Sequence, residues 1–240
     1  LLELADEFEN ITLHFNSKCV DVNIEEGLSV FELEDGTTKS FKSDRIIGTD
    51  GAFAATRARM QMGDRFDYNQ FYLKVGYKEL EIPAGAMGEF KMEKNALHIW
   101  PRGAFMMIAL PNPAGDFTCT LFVPFEGEKS FNAVQTQADV TKFFAEEFPD
   151  AVPLMPTLLE DYFKNPTSSL VTVRCYPWVK GDKLALMGDA AHAVVPFYGQ
   201  GMNCSFEDVV VMDECIEKYG NDWNKVFDEY QKLRKPNADA

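Results

Sequence analysis

The segment Leu184–Asp208, L-A-L-M-G-D-A-A-H-A-V-V-P-F-Y-G-Q-G-M-N-C-S-F-E-D, constrains the fold more than any other part of the chain. Lys183–Met187 is a short apolar run of strand character that stops at Gly188-Asp189. A buried strand that delivers an aspartate at its carboxyl end, into small residues, leaves that carboxylate in the crevice where an α/β sheet binds ligands. Gly199 and Gly201 allow the backbone to approach a flat ligand closely. The pattern from about Met202 to Lys218, terminated by Gly220, predicts a helix whose free N–H groups point back at the same place. Asp189 is therefore a candidate for binding cofactor hydroxyls, and the helix end at Gly201-Met202-Asn203 a candidate site for negative charge.

Before this segment the texture changes twice. The first fifty residues carry strand signals at Ile11–Phe15, Cys19–Ile24 and Leu28–Leu33, with Asp35-Gly36 as a hairpin turn leading to Thr38–Phe41. Arg45-Ile46-Ile47-Gly48 is a short apolar strand running into the tight turn Thr49-Asp50-Gly51. From about Phe66 to Arg174 the runs Phe71–Tyr77, Leu97–Trp100, Phe105–Leu110 and Phe117–Val123 predict a mostly antiparallel sheet, and Asn112–Asp116 a hairpin loop. Helical spacing follows at Val140, Phe143, Phe144 and Phe148 and again at Leu154, Leu158 and Leu159. A last helix is expected behind Asp222, with Trp223, Val226, Phe227, Tyr230 and Leu233 on one face, stopping before Pro236.

Composition narrows the function classes. With 46% hydrophobic and 13% aromatic residues, the 240-residue chain can bury a sizeable core, which excludes the disordered classes. Its 23 basic and 38 acidic side chains give a net charge of −15, an unsuitable surface for nucleic acid or an anionic membrane. Five widely spaced cysteines without a C-x-x-C pair argue against a disulfide framework or a structural zinc site. No apolar run approaches the roughly 18 residues of a spanning helix. The acidic start Leu1-Leu2-Glu3-Leu4-Ala5-Asp6 lacks the basic flank of a signal peptide, so a reduced, cytoplasmic protein is expected. The chain opens with neither an initiator Met nor a capping signal, which suggests a fragment. His192 reads as a structural residue, His14 and His98 as core or edge residues, and G-x-S-x-G is absent.

The Leu184–Asp208 segment resembles the second flavin-binding motif of the single-component FAD-dependent aromatic hydroxylases, the para-hydroxybenzoate hydroxylase-like family. The resemblance implies that Asp189 holds the ribityl chain of FAD and that Pro196, Gly199, Gly201, Met202 and Asn203 line its isoalloxazine and pyrophosphate. A second family motif, Asp-Gly with Arg six residues on, is matched by Asp50-Gly51-Ala52-Phe53-Ala54-Ala55-Thr56-Arg57, adding Asp50 and Arg57 as cofactor-binding candidates. Ala54 stands where that family usually has Ser, so a hydrogen bond from this position is lost. The family's G-x-G-x-x-G unit and carboxy-terminal helical part are not found in this sequence.

The middle block narrows the resemblance to the kynurenine-hydroxylating branch of that family, through Glu79–Gly85, Asn95–Arg102, Met106–Asn112 and Phe117–Phe125. The implied architecture is α/β, α+β overall: a Rossmann-like FAD-binding domain from residues 1–65 and 176–240, with an inserted antiparallel substrate domain at 66–175. The implied reaction is hydroxylation of L-kynurenine with NADPH and O2 through a flavin hydroperoxide. Leu97, Met106, Ile108, Leu110, Thr120 and Phe122, with Pro196 and Phe197, would form the apolar substrate pocket, and Pro196-Phe197-Tyr198 would seal it. Alternation independently puts Met106, Ile108 and Leu110 on one strand face, and Thr120 and Phe122 together on the next. No side-chain acid and no metal is expected to be essential.

Overall fold

The computed structural model describes Leu1–Ala240, the side chain of Tyr198 excepted. The chain opens with a short helix, Leu2–Asp6 (α1), and three antiparallel strands follow in the order they occur, Ser17–Asn23 (β1), Leu28–Leu33 (β2) and Thr38–Lys42 (β3). The β2–β3 turn is the expected Asp35-Gly36: Gly36 takes φ +78°, and the Asp35 carboxylate accepts hydrogen bonds from the Thr37 amide and hydroxyl at 2.9 and 2.6 Å. Ile11–Phe15, expected as a strand, has no partner strand and runs as irregular chain. Alternating apolar residues form a strand only where a ladder completes their backbone hydrogen bonds. Phe15 stays exposed, Asn16 at φ +50° breaks the extended run, and His14 lies against the ring of Phe41.

Ile46–Gly48 (β4) leads to Ala55–Gln61 (α2) and then to a long strand, Asp67–Ile82 (β5). Next come His98–Arg102 (β6), Phe105–Pro111 (β7), Phe117–Pro124 (β8), Gln137–Glu147 (α3), Leu158–Lys164 (α4) and Ser168–Tyr176 (β9). The chain divides into two compact units, Leu1–Phe71 with Val171–Ala240, and Tyr72–Leu170, the crossings falling within β5 and β9.

Residues in the second unit pair by alternation. In the sheet β6-β7-β8-β5-β9, the side chains Leu80, Ile82, Phe105, Met107, Ala109, Phe117, Cys119 and Leu121 form one face of a core closed by Val140, Phe143, Phe144 and Phe148 of the α3 segment and Leu158 and Tyr162 of α4. A capping box starts α3: Thr136 accepts from the Asp139 amide, and Asp139 accepts from the Thr136 amide. Lys78, buried on β5, donates to the Asn165 carbonyl at the end of α4 at 2.6 Å, a cation placed on a helix C-terminus. Burial lowers its pKa.

In the first unit, Val179–Lys180 (β10), Leu184–Leu186 (β11) and β4 form a small sheet in that order, followed by Asp189–His192 (α5), Gly201–Tyr219 (α6) and Trp223–Asp239 (α7). Every side chain of β11 is fully buried among Trp178, Phe227 and Tyr230, whose hydroxyl donates to the Leu186 carbonyl. The expected stop before Pro236 does not occur. Pro236 sits in the final turn of α7, where the missing N–H removes a single hydrogen bond, and Ala238 beyond it packs on the core. Among the described residues, no helix is long and apolar enough to cross a membrane and no His/Cys/Asp/Glu group could hold a metal ion; all five cysteines are free.

Candidate functional site

Strands β4 and β11 are parallel neighbours, Ile46 against Leu184 and Gly48 against Leu186. Their carboxyl ends therefore leave the sheet together, and the Met187 amide donates to the Gly48 carbonyl at 2.9 Å. This puts the turns Thr49-Asp50-Gly51 and Gly188-Asp189 side by side at the edge where α/β sheets bind ligands. A Cβ on Gly48 would sit 2.3 Å from the Thr56 hydroxyl, so glycine there allows α2 to close on the strand.

Asp50 is occupied within the turn. Its carboxylate accepts from the Thr56 amide at 3.0 Å and the Thr56 hydroxyl at 2.5 Å, capping the start of α2. Ala54, the N-cap residue, supplies no side-chain bond, so the aspartate does this from a distance. Arg57 is likewise engaged inside the protein: it is buried, donates to the carbonyls of Ala190 and Ala52 at 2.8 and 2.5 Å, and lies over the Tyr68 ring. It ties α2 to α5.

Asp189 differs from both. Its carboxylate is exposed, no donor among the described residues meets it, and partial desolvation raises its pKa, with the nearby His192 opposing. Its side chain lines two cavities that share Met202 and Ser205. One, of 290 Å³, reaches Thr49, Gly51 and Val209; the other, of 400 Å³, reaches Pro196, Gly199 and Gly201. The structure thus brings Asp189, Pro196, Gly199, Gly201 and Met202 together, with Asn203 on the same helical turn, while Asp50 and Arg57 serve the turn beside them.

The cavity accommodates a large, partly anionic, hydroxyl-bearing ligand such as FAD. Gly51 and Gly199 take φ +83° and +62° with open space where a Cβ would point, so a ligand can lie on their backbone. Among the described residues no side-chain hydrogen bond caps the N-terminus of α6, whose first-turn amides suit an external acceptor. Asp189 is an acceptor without a donor, complementary to hydroxyl groups.

Two residues of the site were not singled out in the sequence. Asp208 on α6 and Arg234 on α7 are fully buried, and Asp208 bonds the Gly188 amide, His192 and Arg234. A signal existed. Asp208 stands in the inward stripe of α6 with Met212 and Cys215, and Arg234 in that of α7 with Phe227 and Tyr230. A charge in each of two apolar stripes implies that they meet.

The remaining candidates fall in two places. Met106, Ile108, Thr120 and Phe122 lie on the sheet face opposite the helix-covered core, with Met106 paired to Phe122 and Ile108 to Thr120; Leu110 shares that face near the edge. Phe122 is buried yet outside the core cluster, beside the Tyr77 ring at 6.4 Å. Leu97 immediately precedes β6 and is exposed. Pro196 and Phe197 belong to the first unit, in the 3-10 turn before Gly199; the Tyr198 side chain lies outside the described residues.

Over its full length the chain is 52% identical to the kynurenine 3-monooxygenase of Flavobacterium psychrophilum, 48% to that of Dictyostelium discoideum and 42% to that of Sus scrofa. It spans about half the length of these curated relatives, 54%, 54% and 50% respectively. Among solved structures, the tetrameric form of 2-methyl-3-hydroxypyridine-5-carboxylic acid oxygenase superposes with a TM-score of 0.74 at 21% identity, covering 96% of this chain and 58% of that one. Klebsiella pneumoniae HpxO complexed with FAD and uric acid gives 0.68 at 19%, covering 92% and 54%. At those identities the likeness establishes the fold, an α/β FAD-binding architecture with antiparallel sheets. The family model described as "FAD binding domain" matches residues 23–240, and with the paired turns, the unpartnered Asp189 and the uncapped α6 already in place, the chain belongs to the FAD binding domain family.

Proposed function

We propose that the protein containing this chain is an FAD-dependent monooxygenase that hydroxylates L-kynurenine to 3-hydroxykynurenine, with NADPH as reductant and O2 as co-substrate. FAD binding belongs to the first unit and the substrate ring to the second. The observation that carries the reading is the groove in which the unpartnered Asp189 carboxylate and the open amide end of α6 face one space. The kynurenine 3-monooxygenases that match the whole chain support the choice of substrate.

When bound, FAD supplies the electron transfer and oxygen activation, chemistry that no side chain here can perform. Asp189 would accept hydrogen bonds from the ribityl hydroxyls and so hold the cofactor in the groove. Gly199 and Gly201 would admit a flat ring system close to the backbone, and the α6 dipole would stabilise negative charge beside Met202 and Asn203. Asp50 and Arg57 act at one remove, holding the adjoining turn and α2 in shape. On the second unit, Met106, Ile108, Leu110, Thr120 and Phe122 offer a weakly polar face for an aromatic amine. Pro196 and Phe197, on the first unit, would shield the flavin groove from water.

The test is a visible spectrum of the full-length protein after gel filtration, followed by product analysis with NADPH and L-kynurenine. Retained flavin absorbance and 3-hydroxykynurenine formation are expected. A colourless protein, or turnover only of a different aromatic acid, would overturn the assignment.

A further inference from the structure

Asp208 is a carboxylate with no exposure to water, and each of its oxygens is in use. Oδ2 accepts from the Gly188 amide at 2.8 Å and from His192 Nε2 at 2.6 Å; Oδ1 accepts from Arg234 Nε at 2.7 Å. An ionised carboxylate only accepts, so the ring proton of His192 sits on Nε2. Burial by itself would raise the Asp208 pKa, but the hydrogen bonds from His192, Arg234 and the Gly188 amide outweigh it and hold the group low. The partners are themselves locked. His192 packs against the Trp178 ring at 5.0 Å with Nδ1 3.7 Å from Cys204 Sγ, and Arg234 reaches Glu207 at 2.6 Å and the Cys204 carbonyl at 3.2 Å.

A buried ion cluster of this kind is a poor way to gain stability, because desolvation offsets most of the attraction and apolar residues of similar volume do as well. Its placement says more. The amide it grips belongs to Gly188, held at φ +60°, ψ −143°, a backbone state closed to other residues. A Cβ there would also press on Ser205 at 3.0 Å. The next residue is Asp189, whose carboxylate has no hydrogen-bond donor among the described residues to orient it.

We propose that Asp208 is a positioning residue for the cofactor site: by taking the Gly188 N–H it fixes the corner between β11 and α5 and aims the Asp189 carboxylate into the groove, while His192 and Arg234 hold Asp208 in the rotamer that does so. The inference rests on the FAD reading of Asp189. Through Arg234 it also makes helix α7, which does not line the groove among the described residues, part of what sets cofactor affinity.

Because Asp208 acts through Asp189, losses at the two positions must not add. The full-length apoprotein, Asp189→Asn, Asp208→Asn and the double variant are titrated with FAD by flavin fluorescence, and unfolding without FAD is recorded in parallel. Asp189→Asn is expected to weaken FAD binding by roughly 10- to 150-fold, Asp208→Asn by roughly tenfold, and the double variant by no more than about the larger of the two. Wild-type affinity in Asp208→Asn, or a double variant weakened by the product of the two, would overturn the proposal, since a purely structural cluster damages binding independently of Asp189. If Asp208→Asn does not fold, Arg234→Lys, which keeps the charge but loses the fork, takes its place in the same cycle. Unchanged affinity in Asp189→Asn removes the FAD reading itself, and that outcome is distinct from a failure at Asp208 alone.

Discussion

Asp189→Asn separates function from stability more sharply than any other change in this chain. The substitution keeps the shape and removes the charge, and among the described residues no protein donor is left unpaired by it. Cofactor hydroxyls bonded to a carboxylate lose a charge-assisted contact worth about 1.5–3 kcal/mol, so the FAD dissociation constant should rise by roughly 10- to 150-fold. The apoprotein should respond in the opposite sense. Partial desolvation of the exposed Asp189 carboxylate raises its pKa above the ordinary value of 3.8, which means the folded apoprotein binds a proton somewhat more tightly than the unfolded chain. Between the two pKa values the native state carries more protons, so stability falls as pH rises through that window. Asparagine has no such slope. The assay is fluorescence titration with FAD at neutral pH, paired with calorimetric unfolding of both apoproteins across the acidic range and at neutral pH. Weakened FAD binding with an apo melting temperature equal to or above that of the wild type is expected at neutral pH. Unchanged affinity would refute the argument, and so would an apoprotein destabilised in step with the loss of binding, because Asp189 would then have an internal partner.

Three further outcomes follow from the same geometry. Gly188→Ala should lower stability by about 1–3 kcal/mol, measured by urea unfolding, since it forces a side chain into a glycine-only backbone state and against Ser205. Phe122→Ala should raise the Michaelis constant for kynurenine with FAD content unchanged; a melting temperature lowered by a loss of roughly 3–5 kcal/mol with kinetics intact would make it an ordinary core residue instead. Phe197→Ala should let NADPH oxidation continue while 3-hydroxykynurenine falls and hydrogen peroxide per NADPH rises. Parallel loss of oxidation and product, with no added peroxide, would assign Phe197 to folding or flavin binding.

Much of the site was legible because its signals are local. Gly188-Asp189 after an apolar run, and a G-x-G before a helix, each state a backbone requirement within a few residues, and the structure realises both. The Asp35-Gly36 turn and the Gly220 helix end are of the same kind. The alternation of Met106, Ile108 and Leu110 also told which side chains share a face, since the strand period is a property of one chain segment. Where a partner decides the outcome the same reasoning failed. Ile11–Phe15 has the residues of a strand and no neighbour to pair with, and Pro236 remains helical because it sits in a last turn anchored by the core.

The sequence by itself determined the kind of site: a carboxylate at a strand end, glycines that admit a flat ligand and a helix end that favours negative charge. The tertiary structure alone decided that β4 and β11 are parallel neighbours, so that two turns separated by most of the chain face one groove. It also decided which carboxylates are available there. Asp50 and Asp208 are committed to Thr56 and to Gly188, His192 and Arg234, while Asp189 has no hydrogen-bond donor among the described residues. That division could not be read from residue types, because an aspartate is a ligand or a brace according to which donors long-range packing brings within about 3 Å of it.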